Sequence, residues 1–399
     1  MAQRRALIIG GSMSGLLAAL MLRRRGWEVD IYERVAGELA GRVVAQPTLI
    51  AHLNKLGLDT GELGVPIARR QMLDREGRVT LTGRCPQILT AWERVYRLLR
   101  DAFPSAHYHR GQELVSFEQM ARGVVARFAD GSAAEGDVLI GADGLRSTVR
   151  QPCLPAIVPL YAGYVAWRAM VREDALPPAL HHDLFDAMTF CLPPGEQFLG
   201  YPVAGPDNEL RLGQRRYNVV WYRPADEVKE LPWFLTDDKG VTHSISIPPP
   251  LIRRDPIAAM RAAAERLLAP QFRAIVRLID EPILQPIYDL ESPRLAFGRV
   301  AILGDAAFVA RPHVAAGVSK AADDAAALAQ ALDGDDIEAA LRAFEAERLP
   351  QGRKIIERAR HLGAYLHATH TAEERARSER HSIPEAVLAE TAVLDFLHA

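Results

Sequence analysis

The run Ala6-Leu7-Ile8-Ile9, closed by Gly10-Gly11-Ser12-Met13-Ser14-Gly15, constrains this chain more than any other segment. Four apolar residues without polar alternation suit a strand covered on both faces, as in a parallel sheet. Leu16 to Leu22 are mostly strong helix formers. Arg23-Arg24-Arg25 then stand where they complement the helix dipole, and Gly26 stands where a C-cap belongs. Val29-Asp30-Ile31-Tyr32-Glu33 reads as a second strand. A strand, a glycine turn, a helix and a parallel strand make a right-handed crossover, so the fold class is α/β. The turn also has a chemical meaning. A helix N-terminus offers unpaired N–H groups and a positive dipole end to a phosphate. Gly10 permits the tight turn, Gly15 lets helix and strand approach, and Glu33 can accept both ribose hydroxyls of an adenosine group. Ser12 occupies the middle glycine position, where its hydroxyl can donate to a phosphate. The competing reading is an ordinary strand–helix turn beside a surface glutamate. Strand, helix and acid together favour the dinucleotide site.

A chain of 399 residues is too long for one core and suggests two intertwined domains with a tail. A net charge of −2 provides no bulk attraction for nucleic acid. Cys85, Cys153 and Cys191 show no paired spacing, so neither a disulfide framework nor a metal site is expected. No apolar run approaches the ~20 residues of a membrane span, and the first strand leaves no room for a signal peptide. The expected location is the reducing cytoplasm.

Further along, Thr90 to Phe103 carries a helical apolar period, and Val124 to Phe128 and Val138 to Ile140 read as strands. Prolines and aromatics cluster from Leu154 to Pro286, which predicts a separate β-rich domain with long loops. Arg299 to Leu303 is again a buried-strand run, Ala321 to Leu332 is Ala-rich, and the tail from Ala339 is mostly helical. Glu338/Arg342 and Glu373/Arg377 are candidate i,i+4 pairs within it.

Two later segments repeat the logic of the first. Val138 to Arg150 reads VLIGADGLRSTVR and Val300 to Ala307 reads VAILGDAA, each a buried strand ending in a Gly/Asp pair. Strand ends of this kind are where α/β folds place ligands, and a simple NAD dehydrogenase has no use for both. With the N-terminal turn, these segments make the chain resemble the group A flavoprotein monooxygenases, the p-hydroxybenzoate hydroxylase-like family, from Ala6 to about Leu332. Tyr161 to Arg168, Gly304 to Gly317 and Ser319 to Ala325 carry the resemblance most closely.

The resemblance implies a Rossmann-like FAD-binding domain in two parts, residues 1–153 and 287–350. A β-rich substrate domain, 154–286, would be inserted between them, with a helical tail at 351–399. Gly10, Gly11, Ser12, Met13, Ser14 and Gly15 would surround the FAD pyrophosphate, with Glu33 on the ribose, Arg34 beside the adenine or phosphates, and Arg42 as the arginine contact to flavin or nicotinamide. Asp143 and Gly144 would line the groove where pyrophosphate and reduced nicotinamide meet. Gly304 and Asp305 would hold the ribityl chain, unless Asp305 merely caps its own turn. Pro312, Ala315, Ala316, Gly317 and Val318 would lie along the isoalloxazine, their amides facing N1 and O2. The sequence departs from the family at Phe308, where histidine is common, and at Trp92 and Glu93, near which an arginine often begins a helix.

The implied reaction consumes NAD(P)H and O2, forms a hydroperoxide at the flavin C4a carbon and hydroxylates a small electron-rich aromatic or N-heteroaromatic ring. A base near the ring is expected. His313, directly after Pro312, is the first candidate, because imidazole titrates near neutral pH. Its alternative is a solvated or packed loop residue. Tyr201 is the second candidate, with core packing as its alternative; Tyr222 and Trp221 are weaker. Arg168 reads as an interdomain contact, and no arginine here is placed clearly enough to predict a substrate carboxylate. A larger polycyclic substrate, or a flavin-binding protein without catalysis whose tail serves a partner, stays open. So does the oligomeric state, for which the resemblance suggests a homodimer.

Overall fold

The computed structural model describes residues 3–36, 42–366 and 372–397. The first sheet has six strands in the order Ala296–Phe297, Val300–Ile302, Val138–Gly141, Arg5–Ile9, Glu28–Glu33 and Tyr108–Arg110. All its pairs are parallel except the antiparallel edge at Ala296–Phe297. Ala6, Leu7 and Ile8 are fully buried, as expected of a strand covered on both faces. The helix Met13–Arg23 covers it, packed against the Ala-rich helix Gly317–Ala331. Small alanines on both helices permit that close approach. Phe308, where the family often has histidine, lies against Gly352, at which any Cβ would meet its ring at 2.3 Å.

The second sheet has nine strands: Phe308–Val309, Ile283–Glu291, Leu160–Arg172, Arg216–Pro224, Gln197–Val203, Ala187–Cys191, Val65–Leu73, Val79–Ala91 and Arg42–Ala45, in that order. Three of these come from residues 42–91, so the expected boundary at 153/154 does not separate the two sheets. Val65–Leu73 escapes a sequence reading because Arg69, Arg70 and Gln71 interrupt its apolar run, yet Arg70 and Gln71 are buried and hydrogen-bonded to Leu388 and Thr189. The expected loops between Leu154 and Pro286 also contain four α-helices, of which Arg254–Leu267 and Pro270–Arg277 are the longest. These two bury Met260, Ala263, Phe272 and Ile275 against one face of this sheet.

Thr90 and Ala91 end a strand, and the predicted helix begins at Trp92 and runs to Ala102. Glu338/Arg342 and Glu373/Arg377 form the expected pairs at 4.0 and 2.6 Å. No helix among the described residues is long and apolar enough to cross a membrane.

Candidate active site

The three Gly-containing motifs meet because they leave one sheet side by side. Ile9 is paired with Gly141, and Gly141 with Ile302, so Gly10, Ala142 and Leu303 emerge together at the carboxyl ends of parallel strands. Glu33 ends the neighbouring strand. The glycines here answer to hard contacts. Gly10 has φ +102° and a Cβ on it would lie 2.5 Å from the Ala142 carbonyl oxygen. A Cβ on Gly15 would lie 1.9 Å from the Gly10 oxygen.

Two cavities open on these strand ends, of about 320 and 790 Å³. Ser12, Trp92, Ala142 and Gly144 border both, so the two form one continuous site. The smaller is lined by Gly10, Glu33, Arg34 and Asp143. The Glu33 carboxylate is buried and accepts from the Gly11 and Val35 amides at 2.8 Å each. Each of its oxygens keeps a further lone pair for a ribose hydroxyl. Asp143 accepts from the Ser147 hydroxyl at 2.5 Å and the Thr148 amide at 2.7 Å. Its carboxylate therefore braces the following turn, although the residue borders the cavity.

The larger cavity is lined by Ser12, Met13, Ser14, Asp305, Pro312, His313, Ala315, Ala316, Gly317, Val318 and Tyr201. Ser12 does not cap its helix with its own hydroxyl, which leaves that group for a ligand. Asp305 faces the cavity and no hydrogen bond reaches its carboxylate among the described residues; it does not cap its turn. Its side chain is open to the cavity, and desolvation by the surrounding protein raises its carboxyl above the ordinary range, opposed by the nearby Lys320 ammonium. The chain then reaches Ala315 in the left-handed region (φ 49°), an uncommon conformation for a residue with a Cβ. That bend aims the N-terminus of the Gly317–Ala331 helix at the cavity, with no side chain capping it.

The opposite wall is one face of the nine-stranded sheet, selected by strand alternation. Along Leu160–Arg172, Val165, Trp167, Ala169 and Val171 pack toward the two helices, whereas Arg168 and Met170 border the cavity. On neighbouring strands Leu199, Tyr201, Val220 and Tyr222 join them. Trp221 points the other way and donates to Glu196 at 2.7 Å, which removes it as a pocket candidate. Arg168, read from sequence as an interdomain contact, is instead part of the pocket wall.

His313 lies at the junction of the two walls and is 2 % exposed. Its Nε2 is 2.9 Å from the Tyr164 hydroxyl, and its ring lies 4.2 Å from that of Tyr222. The expectation that it titrates near neutral pH is corrected: burial, with the Arg311 and Arg168 guanidiniums, pushes its pKa down to about 3. Burial likewise pushes Tyr222 up to about 12. His313 is thus a neutral imidazole and Tyr222 a protonated phenol. Arg42 is in a strand, but its side chain lies outside the described residues. Gly11, Gly15 and Gly304 sit behind the cavity walls as packing contacts: a Cβ on Gly11 would strike Tyr108, and one on Gly304 would strike Ser14.

Sequence reading missed Trp92, Gln285, Thr391 and Ala392 as contributors. Trp92 borders both cavities, stacked on Tyr96 with ring centroids 4.8 Å apart. Gln285 comes from a strand whose face could not be assigned without its partner. Thr391 and Ala392 come from the tail. Ala392 donates to the His313 carbonyl at 2.7 Å and accepts from Gln46 and Gln87 at 3.1 and 3.0 Å.

A buried carboxylate with spare lone pairs, an aspartate open to the cavity with no hydrogen-bond partner among the described residues, and two uncapped helix N-termini fit FAD. The FAD binding domain model matches residues 3–170 and 290–359, and an FAD binding domain-like model matches 161–289. The chain belongs to the p-hydroxybenzoate hydroxylase-like family of FAD-dependent aromatic-ring monooxygenases. It is 33 % identical to 2,6-dihydroxypyridine 3-monooxygenase from Paenarthrobacter nicotinovorans over 371 residues, 91 % of each chain. The solved 2,6-dihydroxypyridine-3-hydroxylase from Arthrobacter nicotinovorans superposes with a TM-score of 0.86 at 31 % identity, covering 93 % of this chain and 95 % of that one. A Klebsiella pneumoniae enzyme solved with FAD and uric acid has a TM-score of 0.75 at 25 % identity, with 97 % of each chain covered. This protein is an FAD-binding enzyme of that class.

Proposed function

We propose that this enzyme hydroxylates a small, electron-rich hydroxylated aromatic or N-heteroaromatic ring, using NAD(P)H and O2. The observation that carries the reading is the larger cavity. It runs from Asp305 and the Ala315–Val318 bend to an aromatic, mostly apolar sheet face. It must also hold the tricyclic flavin ring, so what remains favours one or two rings over a polycyclic framework. The matched relatives named for dihydroxypyridine and urate point the same way.

FAD, when bound, would supply the redox and oxygen chemistry. The protein supplies position and electrostatics. Gly10, Ser12, Met13 and Ser14 would line the pyrophosphate, with Gly11 and Gly15 shaping the turn behind them; Glu33 would hold the ribose, with Arg34 beside the adenine or phosphates, and Asp143 and Gly144 would border the nicotinamide approach. The uncapped amides at Ala316 to Val318 stabilise negative charge at the edge of the flavin ring. Tyr201 and neutral His313 orient the ring through hydrogen bonds, and His313 does not take its proton. The tail closes the cavity against water through Thr391 and Ala392. A cytoplasmic homodimer completes the reading, consistent with the unpaired Cys85, Cys153 and Cys191.

The test is NADH and NADPH oxidation by the FAD-loaded protein, with oxygen uptake followed, across hydroxylated pyridines and phenols. One ring should accelerate both and gain a hydroxyl group. If the protein holds FAD and no ring changes the rate, the small-ring reading fails. Light scattering of the same preparation tests the dimer.

A further inference from the structure

Among the described residues, Arg168 is a cation without a counter-ion. Its strand lies inside the nine-stranded sheet, hydrogen-bonded on both sides, with Val220 and Ile283 as its direct neighbours. The guanidinium is therefore held on a fixed base. No carboxylate lies within ion-pair distance among the described residues, and its buried Nε finds no acceptor. Among the described residues it is the one formal charge on the sheet-side wall of the larger cavity.

The neighbouring groups leave that charge uncompensated. Arg311 is paired with Asp289 at 2.9 Å, so Asp289 is already engaged. His313 is neutral, and Tyr164 and Tyr222 are held protonated by burial. Tyr201 adds a further phenol to this wall. The two carboxylates on the cavity rim stand elsewhere. Glu93 begins a helix and pairs with Arg216 at 3.5 Å, and Asp305 belongs to the ribityl side. A partly buried cation is costly without a partner, and its field is strong where water is scarce.

We propose that Arg168 anchors an oxyanion on the substrate ring, so that the ring is bound as its anion. A planar guanidinium fork suits an oxyanion in a ring plane, whether a ring hydroxylate or a ring carboxylate. An ionised hydroxyl also makes the ring more electron-rich. Arg168 then does what a general base was expected to do: it stabilises the deprotonated ring, and the released proton goes to solvent.

The inference rests on the small-ring monooxygenase reading. Its test is calorimetric binding to the FAD-loaded enzyme between about pH 5.5 and 9. The probes are 2,6-dihydroxypyridine, its dimethoxy analogue and pyridine-2-carboxylate. In the wild type, affinity for the dihydroxy ring should rise as its hydroxyl ionises, and the dimethoxy ring should show no such rise. Arg168→Gln should weaken binding of the ionised ring about 10- to 100-fold, the range of a charge-assisted hydrogen bond. It should leave binding of the dimethoxy ring and FAD content unchanged, and the thermal midpoint should not fall, because a costly unpaired charge is removed. Arg168→Lys should recover part of the loss. A pyridine-2-carboxylate response that depends on Arg168, with none from the dihydroxy ring, identifies a carboxylate as the oxyanion. Equal binding of hydroxy and methoxy rings, or an unchanged pH profile in Arg168→Gln while turnover persists, overturns the anchor alone. If no ring binds or hastens NAD(P)H oxidation, the small-ring reading fails and this inference falls with it.

Discussion

Acidification should expose the neutrality of His313. Its pKa is lowered from 6.5 to about 3, with burial as the largest cause. A lowered folded-state pKa means that below about pH 6.5 the unfolded chain binds a proton that the native state refuses. The contribution is fully present above pH 6.5 and declines as pH falls toward 3. Each pH unit in that window costs about 1.4 kcal/mol, so the loss is on the order of 3 kcal/mol at pH 4.5. The ring is almost wholly enclosed, so solvent screening offers little discount. His313→Asn removes this term but keeps the carboxylates that also titrate in acid. The difference in denaturant midpoint between wild type and variant should therefore change by that amount between pH 7.5 and 4.5, in the variant's favour at low pH. In an NMR titration, the imidazole resonances missing from His313→Asn should stay fixed from pH 8 to 5. Movement of those resonances in that range, or a pH-independent stability difference, refutes the argument and restores His313 as a candidate base.

Gly15→Ala puts a Cβ 1.9 Å from the Gly10 oxygen, backbone against backbone, and should cost about 1–3 kcal/mol and release FAD on dialysis; retained flavin colour counts against the assignment. Asp305→Asn keeps the side-chain shape but loses a charged acceptor, so FAD affinity should fall about tenfold, and further in Asp305→Ala; equal flavin content in all three proteins rejects the ribityl role. A chain ending at Glu390 loses the Ala392 contacts to His313, Gln46 and Gln87. It should oxidise NAD(P)H with less hydroxylated product per oxygen consumed, and an unchanged ratio shows that the tail does not seal the site.

The flavin half of the site is legible in the sequence because its determinants are local. Gly10 to Gly15, Gly141 to Gly144 and Gly304-Asp305 each follow an apolar run, and a buried parallel strand has one productive end. Once the three strands are adjacent, their turns are adjacent too. Even here the sequence says less about charge than about place. Asp143 stands where it is expected, yet its carboxylate serves Ser147 and Thr148. His313 likewise borders the cavity, but its protonation depends first on burial and then on Arg311 and Arg168, and Arg168 lies 145 residues earlier in the chain.

The substrate half is less legible for a different physical reason. In a strand, adjacent residues face opposite sides, so assigning Trp167 or Arg168 to the cavity requires knowing which layer covers which face. That layer is the pair of helices between Arg254 and Arg277, which takes Trp167 and leaves Arg168 on the other side. The face is then extended by strands from residues 65–91 and sealed by Thr391 and Ala392, segments that lie hundreds of residues apart. No local pattern in Tyr161 to Arg168 contains this information. The uncompensated guanidinium becomes visible only when all of these pieces are assembled and none of their described residues brings a carboxylate within ion-pair distance of it.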